Sequence, residues 1–207
     1  MSRFAALSLT LNPSPGESAT SFASRLAKLN GAPRLITFCS DLGLSHGALT
    51  NGEPGEVEHI AALAGCDPKS LLFWTPQHIE PRWFKFGRER IKFTAFARTQ
   101  PRACPICLRE SSVHGAGIYS GHPGLWQLSS VRGCALHRCA LVPLPAAPSN
   151  KDVFDFARIA ERYVSARTAT VPESDLALQG YLTARVAEGP GRSRPSRWCN
   201  FPDGLRS

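Results

Sequence analysis

No run of about eighteen apolar residues occurs in the 207-residue chain, so no membrane-spanning helix is expected. A secretory leader is not expected either. Residues 4–11 are mildly apolar and follow Arg3, but the stretch is short and runs into Asn12-Pro13-Ser14-Pro15 without an A-x-A-like cleavage site. Internal repeats are absent. So are a carboxylate cluster of the nuclease or recombinase kind and a phosphate-cradling glycine loop with its lysine, which argues against phosphoryl-transfer chemistry. Acidic residues are scarce, 16 against 24 lysines and arginines, a net charge of +8 that suits a polyanionic partner without requiring one. The cysteine count of seven is odd. A disulfide framework therefore accounts for it poorly, and a reducing cytoplasmic location is expected.

What the chain has instead is a cysteine–histidine cluster around which the rest is organised. Cys104-Pro105-Ile106-Cys107 and Cys134-Ala135-Leu136-His137 are separated by 26 residues, a C-x2-C…C-x2-H pattern. Two short knuckles of this kind can converge on one tetrahedral ion, and Pro105 is a turn residue inside the first. Four protein ligands leave no position for water or substrate, so the expected cofactor is a structural zinc held by Cys104, Cys107, Cys134 and His137. Two alternatives stay open: four ordinary buried residues, or Cys134 with Cys139 as the second pair and His137 displaced.

Helical punctuation precedes this cluster. Ser14-Pro15-Gly16-Glu17 has the form of a capping box, followed by Phe22, Leu26 and Leu29 at helical spacing up to Gly31. Pro33 opens a second helix with Leu35, Phe38, Cys39 and Leu42 on one face and Gly43 as its stop, which makes Cys39 a core residue. Residues 43–55, with four glycines, a proline and His46, are expected to form a loop with His46 solvated. Val57, Ile60, Ala61 and Ala64 define a third helix that stops at Gly65, and Asp67 with Pro68 starts a fourth. The outcome is a helix-turn-helix-like pair. Lys69-Ser70-Leu71-Leu72-Phe73-Trp74 offers few polar side chains for base edges, so its second helix suits packing or a protein partner better than base reading.

Residues 82–109 carry Arg82, Lys85, Arg88, Arg90, Lys92, Arg98, Arg102 and Arg109 against Glu89 alone, a net +7 out of eight cations and one anion. Trp83, Phe84, Phe86, Phe93 and Phe96 are interleaved, the composition of a surface that meets phosphates while its rings stack or pack. A solvated strand face over a core produces the same alternation. The candidate nucleic-acid contacts are Arg82, Lys85, Arg88, Arg90, Lys92, Arg98 and Arg102. His114, Gly115, Gly117, Gly121, His122 and Gly124 mark a loop between the knuckles, with both histidines bystanders, and residues 124–131 are expected to form a strand delivering the second knuckle. Pro143-x-Pro145-x-x-Pro148 reads as a linker. Val153, Phe156, Ile159, Ala160 and Tyr163, then Ser174-Asp175 capping Leu178, Tyr181, Leu182 and Val186, predict two further helices. A Gly/Pro/Ser/Arg-rich tail from Gly189, expected to be mobile, leads to Trp198 and Phe201 as possible re-anchoring points.

The expected class is α+β: a helical, helix-turn-helix-like unit over 1–80, a basic strand segment with a zinc-ribbon-like module over 81–148, and helices over 149–207. The same residues carry a family resemblance. Cys104-Pro105-x-Cys107-Leu108, then Trp126-Gln127-Leu128 leading into Cys134-x-x-His137 with Leu141 behind, resemble the zinc-binding core of TniQ proteins, which are associated with transposition. Pro13-x-Pro15-x-Glu17-Ser18-x-x-Ser21-Phe22-x-x-Arg25-Leu26-Ala27 is similar to that family's opening helix, and Leu63-Ala64-Gly65-x-Asp67-Pro68-x-x-Leu71 to its second helical pair. The likeness covers about residues 10–145 in the expected order. Many TniQ proteins follow the second knuckle with a further C-P-x-C pair. Here Leu141-Val142-Pro143-Leu144-Pro145-Ala146 stands in its place, so a second zinc site is not expected.

The resemblance implies a non-catalytic adaptor that helps direct DNA transposition, working with an ATPase regulator of the transposase or a target-recognising complex and touching DNA weakly and without sequence preference. A stand-alone zinc-containing DNA-binding regulator is the alternative, and it requires tight, sequence-selective binding without partners. A Cys139–His137 nucleophile and base would make an enzyme, but knuckle residues are better accounted for as ligands.

Overall fold

The computed structural model describes residues 7–113, 121–163 and 168–189. Five helices come first: α1 (Ala19–Leu29), α2 (Leu35–Asp41), α3 (His46–Thr50), α4 (Pro54–Ala64) and α5 (Pro68–Phe73). Their apolar faces meet in one cluster containing the fully buried Phe22, Leu26, Leu35, Leu49, Val57, Ile60 and Leu71. Burying side chains of this size is worth about 1.5–3 kcal/mol each, which exceeds the propensity of such short helices. The α4–α5 joint is as expected: Gly65 caps α4 in the left-handed conformation (φ 70°), and the Asp67 carboxylate accepts from the Lys69 amide at N1–N2 of α5.

The start of α1 differs from expectation. Ser14–Glu17 is a turn with Gly16 at φ 72°, and the N-cap of α1 is Ser18. Glu17 does accept from the Ser14 amide at 2.8 Å, but its carboxylate then turns inward, pairing with Arg25 at 2.6 Å and accepting from Ser21 Oγ at 2.7 Å. Residues 43–55 are also not a plain loop. Ser45 caps α3, and Leu49 is fully buried between the flanking helices. His46 is half-buried rather than solvated, and burial draws its pKa below the usual imidazole value.

A three-stranded antiparallel sheet follows, β1 (Gln77–Glu80), β2 (Trp83–Phe86) and β3 (Glu89–Lys92), in the order β1-β2-β3. The alternation of β2 puts Phe84 and Phe86 into a second apolar cluster with Phe96, Trp126, Leu128 and Val131. Beyond it lie β4 (Arg102–Ala103), α6 (Pro105–Val113), β5 (Gly133–Cys134), β6 (Cys139–Ala140) and β7 (Val142–Pro143). β4 pairs with β7 and β5 with β6, all antiparallel. Residues 124–127 form a buried 3-10 turn where a strand was expected. The segment is docked at its start, where the Gly124 amide donates to Gly16 O at 2.8 Å, and its strand-like pairing is confined to an isolated bridge between Leu128 and Phe96. The proline stretch is likewise shorter as a linker than expected, because Pro143 pairs with Arg102 and Leu144 is buried.

The last two helices are α7 (Phe156–Glu161) and α8 (Glu173–Glu188). α7 returns to the N-terminal helices. Asp155 accepts from Ser24 Oγ (2.6 Å) and from the Leu35 amide (2.9 Å), while Asp152 pairs with Arg34 at 2.7 Å. α8 lies along the sheet and β5, with Arg185 paired to Glu89 at 2.9 Å and Val186 buried. Its buried residues are Gln179, Ala184 and Val186, with Leu182 partly buried against the sheet cluster, and Leu178 and Tyr181, expected inside, are exposed. His114 and the region after Gly189, including Trp198 and Phe201, lie outside the described residues. No described helix is long and apolar enough to cross a membrane.

Candidate metal centre and basic sheet face

The first knuckle is the entry to a helix. Cys104 precedes Pro105 at the start of α6, and its sulfur accepts from the Cys107 amide at 3.4 Å, as a side chain does in an N-terminal turn. The second knuckle is the tip of the β5–β6 hairpin, where Arg138 adopts φ 49° and lets the turn bring His137 back over Cys134. Folding these two tips together places His137 Nδ1 at 3.3 Å from Cys104 Sγ, 3.3 Å from Cys107 Sγ and 3.7 Å from Cys134 Sγ. Two ligands on a tetrahedral ion, with Zn–S and Zn–N bonds of ordinary length, lie about 3.6 Å apart. The observed separations bracket that value, and all four donor atoms lie within 4.8 Å of one another. The four residues can therefore hold a metal ion with no coordination position left for substrate.

The thiols are crowded, with Cys104 and Cys134 buried. Hydrogen bonds from Cys107 and Cys134 pull the Cys104 thiol far below the usual range, while the same contact with Cys104 pushes Cys107 up and raises Cys134 to about 11. One thiolate is tolerated and the next ones resist ionisation, because their charges would sit side by side out of water. A divalent cation held there would reverse this balance and favour loss of the remaining thiol protons. Cys139 is buried with its sulfur 3.5 Å from Cys104 Sγ, and burial raises its thiol to about 12. It lines the cluster beside Cys104. Cys39, by contrast, is fully buried in the helical core, where burial lifts its thiol to about 12.

One neighbour of the centre escaped the sequence reading. His137 Nε2, the nitrogen facing away from the sulfurs, lies 3.2 Å from Glu110 Oε2. Glu110 is three residues after Cys107, so the two share a face of α6. That spacing signals a partner only once the knuckle is known to continue as a helix.

The seven cations expected to meet nucleic acid divide into two groups. Arg82, Lys85, Arg88, Arg90 and Lys92 are exposed on the sheet and its turns. The register Trp83↔Lys92 and Lys85↔Arg90 puts Trp83, Lys85, Arg90 and Lys92 on the outer face, with Arg90 4.6 Å and Lys92 5.6 Å from the Trp83 ring centre. Arg90 also pairs with Glu80 at 2.5 Å. Arg98 and Arg102 are turned into the fold. Arg98 donates to Thr50 O at 2.8 Å, packs against Phe84 and Phe154, and burial lowers its pKa to about 10. Arg102 donates to Leu128 O at 2.8 Å and Ser129 O at 3.3 Å. Both hold loops together.

His122, expected to be a bystander, is no ligand but is fully buried at a three-way junction. Its amide donates to Ser21 Oγ at 2.7 Å, its Nε2 bonds to Arg102 O at 2.9 Å, and its ring stacks on Phe156 at 4.3 Å. A family model described as TniQ matches residues 8–141, a span that includes the helical unit, the sheet and all four candidate ligands. No curated protein matches the chain.

Proposed function

This chain belongs to the TniQ family, which is associated with transposition, and from that premise we propose that it is a non-catalytic adaptor that helps direct DNA transposition. In this reading Cys104, Cys107, Cys134 and His137 hold one structural zinc, which fixes the β5–β6 hairpin against α6. The observation that carries it is that the family match spans the helical unit and all four residues that could hold the ion. The three-sulfur, one-nitrogen donor set suits zinc among the common divalent ions. DNA contact is weak, sequence-tolerant and made by the exposed sheet cations. The partners are a transposition ATPase regulator or a target-recognition complex, met through protein surfaces such as α5.

The experiment is metal analysis of chelator-washed full-length protein together with its thermal unfolding. About one zinc per chain is expected. Cys104→Ser should lose the metal and much of the stability of the sheet and knuckle region, because binding free energy of a structural zinc is folding free energy, on the order of 10 kcal/mol in small modules. His137→Ala should release zinc far more readily than Cys139→Ser. Metal-free protein with unchanged melting would remove the structural-zinc reading, and the reverse order of the last two variants would make Cys139 the fourth ligand.

A further inference from the structure

We propose that Glu110 is a positioning residue of the metal centre: its carboxylate holds the His137 ring so that Nδ1 is the nitrogen presented to the ion. The inference rests on the zinc reading above. A neutral imidazole carries a single N–H, and only the bare nitrogen can ligate. Nδ1 faces the three sulfurs at 3.3, 3.3 and 3.7 Å, so the proton has to reside on Nε2. Nε2 in turn lies 3.2 Å from Glu110 Oε2. A carboxylate there accepts the Nε2–H bond, selects that tautomer, fixes the ring plane and raises the basicity of Nδ1.

The placement follows from the backbone. α6 begins at Pro105, directly after the ligand Cys104, so Cys107 and Glu110 rise one above the other on the same face, separated by one helical turn. One short helix thus delivers a ligand to the ion and a partner to the opposite ligand. The hairpin tip that carries His137 is exposed at Ala135 and Leu136 on the other side. Among the hydrogen bonds and ion pairs of the described residues, Glu110 is the group at Nε2. An exposed ion pair with a charged, non-ligating imidazolium uses the same two residues, but it would protonate Nδ1 as well and aim an N–H at the sulfurs.

The two readings separate in a competition titration of zinc(II) between the full-length protein and a chromophoric chelator, run on wild type, Glu110→Gln and Glu110→Ala. Outer carboxylates of this kind carry 10- to 100-fold in metal affinity. Glu110→Ala is expected to weaken zinc binding by about tenfold or more, with Glu110→Gln in between, since its amide oxygen still accepts from Nε2–H without the charge. Nitrogen-15 correlation spectra of the zinc-loaded wild type should show His137 protonated at Nε2 and metallated at Nδ1. Zinc affinity of Glu110→Ala within twofold of wild type, or a metallated Nε2, would overturn the proposal while leaving the zinc centre intact. Wild type that takes up no zinc would remove both.

Discussion

At the scale of single residues, His122 couples the stability of three elements to pH. It is completely buried, bonded to Arg102 O and stacked on Phe156, so it belongs at once to the knuckle module, the α1 turn and α7. Burial lowers its pKa from 6.5 to about 4. Between those values the unfolded chain binds a proton that the folded chain refuses. The stability contributed by neutral His122 is thus complete above about pH 6.5 and is lost as pH falls towards 4, a loss of about 3 kcal/mol for a shift of this size. His122→Gln keeps an N–H for Arg102 O and cannot titrate. Denaturant unfolding of the two full-length proteins between pH 7.5 and 5 should show the wild type losing more stability than the variant. Every other titrating group is common to both, so parallel curves would show that His122 is not the proton-linked group.

At the scale of elements, the joints rather than the helices decide the geometry. Gly124 sits where the 3-10 turn crosses the end of α5, and a Cβ there would lie 1.8 Å from Trp74 O, a backbone atom that cannot move aside. Gly124→Ala should therefore cost about 3 kcal/mol, the upper end for overpacking. Gly47 in α3 has open space around the same position and no left-handed backbone. There alanine should be neutral or stabilise by about 0.5–1 kcal/mol through lost unfolded-state freedom. Chemical denaturation of the two variants checks the contrast, and equal effects would mean the crossing is slack. This distinction was not legible in the sequence, where both residues read as loop glycines. The Cys104, Cys107, Cys134 and His137 cluster, which could hold a metal ion, was legible as a grouping, because each C-x2 knuckle is a local spacing. Glu110 was not, because its role depends on α6 forming. The start of α1 was misplaced because Glu17 answers to Arg25 and Ser21 as well as to Ser14, and the exposed face of α8 because its inward stripe is set by Glu89 and β5.

At the scale of the molecule, two apolar clusters, one helical and one built from the sheet and knuckles, are joined by buried polar contacts at Glu17, Ser21, Asp155 and His122. The charge is distributed less evenly than the core. Most of the excess of cations falls in residues 82–109; of these, Arg82, Lys85, Arg88 and Lys92 are exposed on the sheet and its turns, Arg90 is shared with Glu80, Arg109 donates to Thr168 Oγ1 at 3.4 Å, and Arg98 and Arg102 are turned inward. Phosphate contacts release counterions, so log affinity for duplex DNA should fall with log salt by roughly 0.9 per phosphate engaged. Changing Lys85, Arg88 and Lys92 to glutamine should flatten that slope and weaken unrelated duplexes about equally. Arg98→Gln and Arg102→Gln should lower the melting temperature and leave the slope nearly unchanged, since their guanidinium groups serve Thr50 O and Leu128 O. Lys69 and Ser70 are exposed on α5, and their substitution should leave duplex preference untouched. A duplex bound about a thousandfold tighter than random DNA lies within the range of specific readers. If such a duplex exists and changes at Lys69 or Ser70 erase its advantage, the chain is a sequence-reading regulator and the adaptor reading falls.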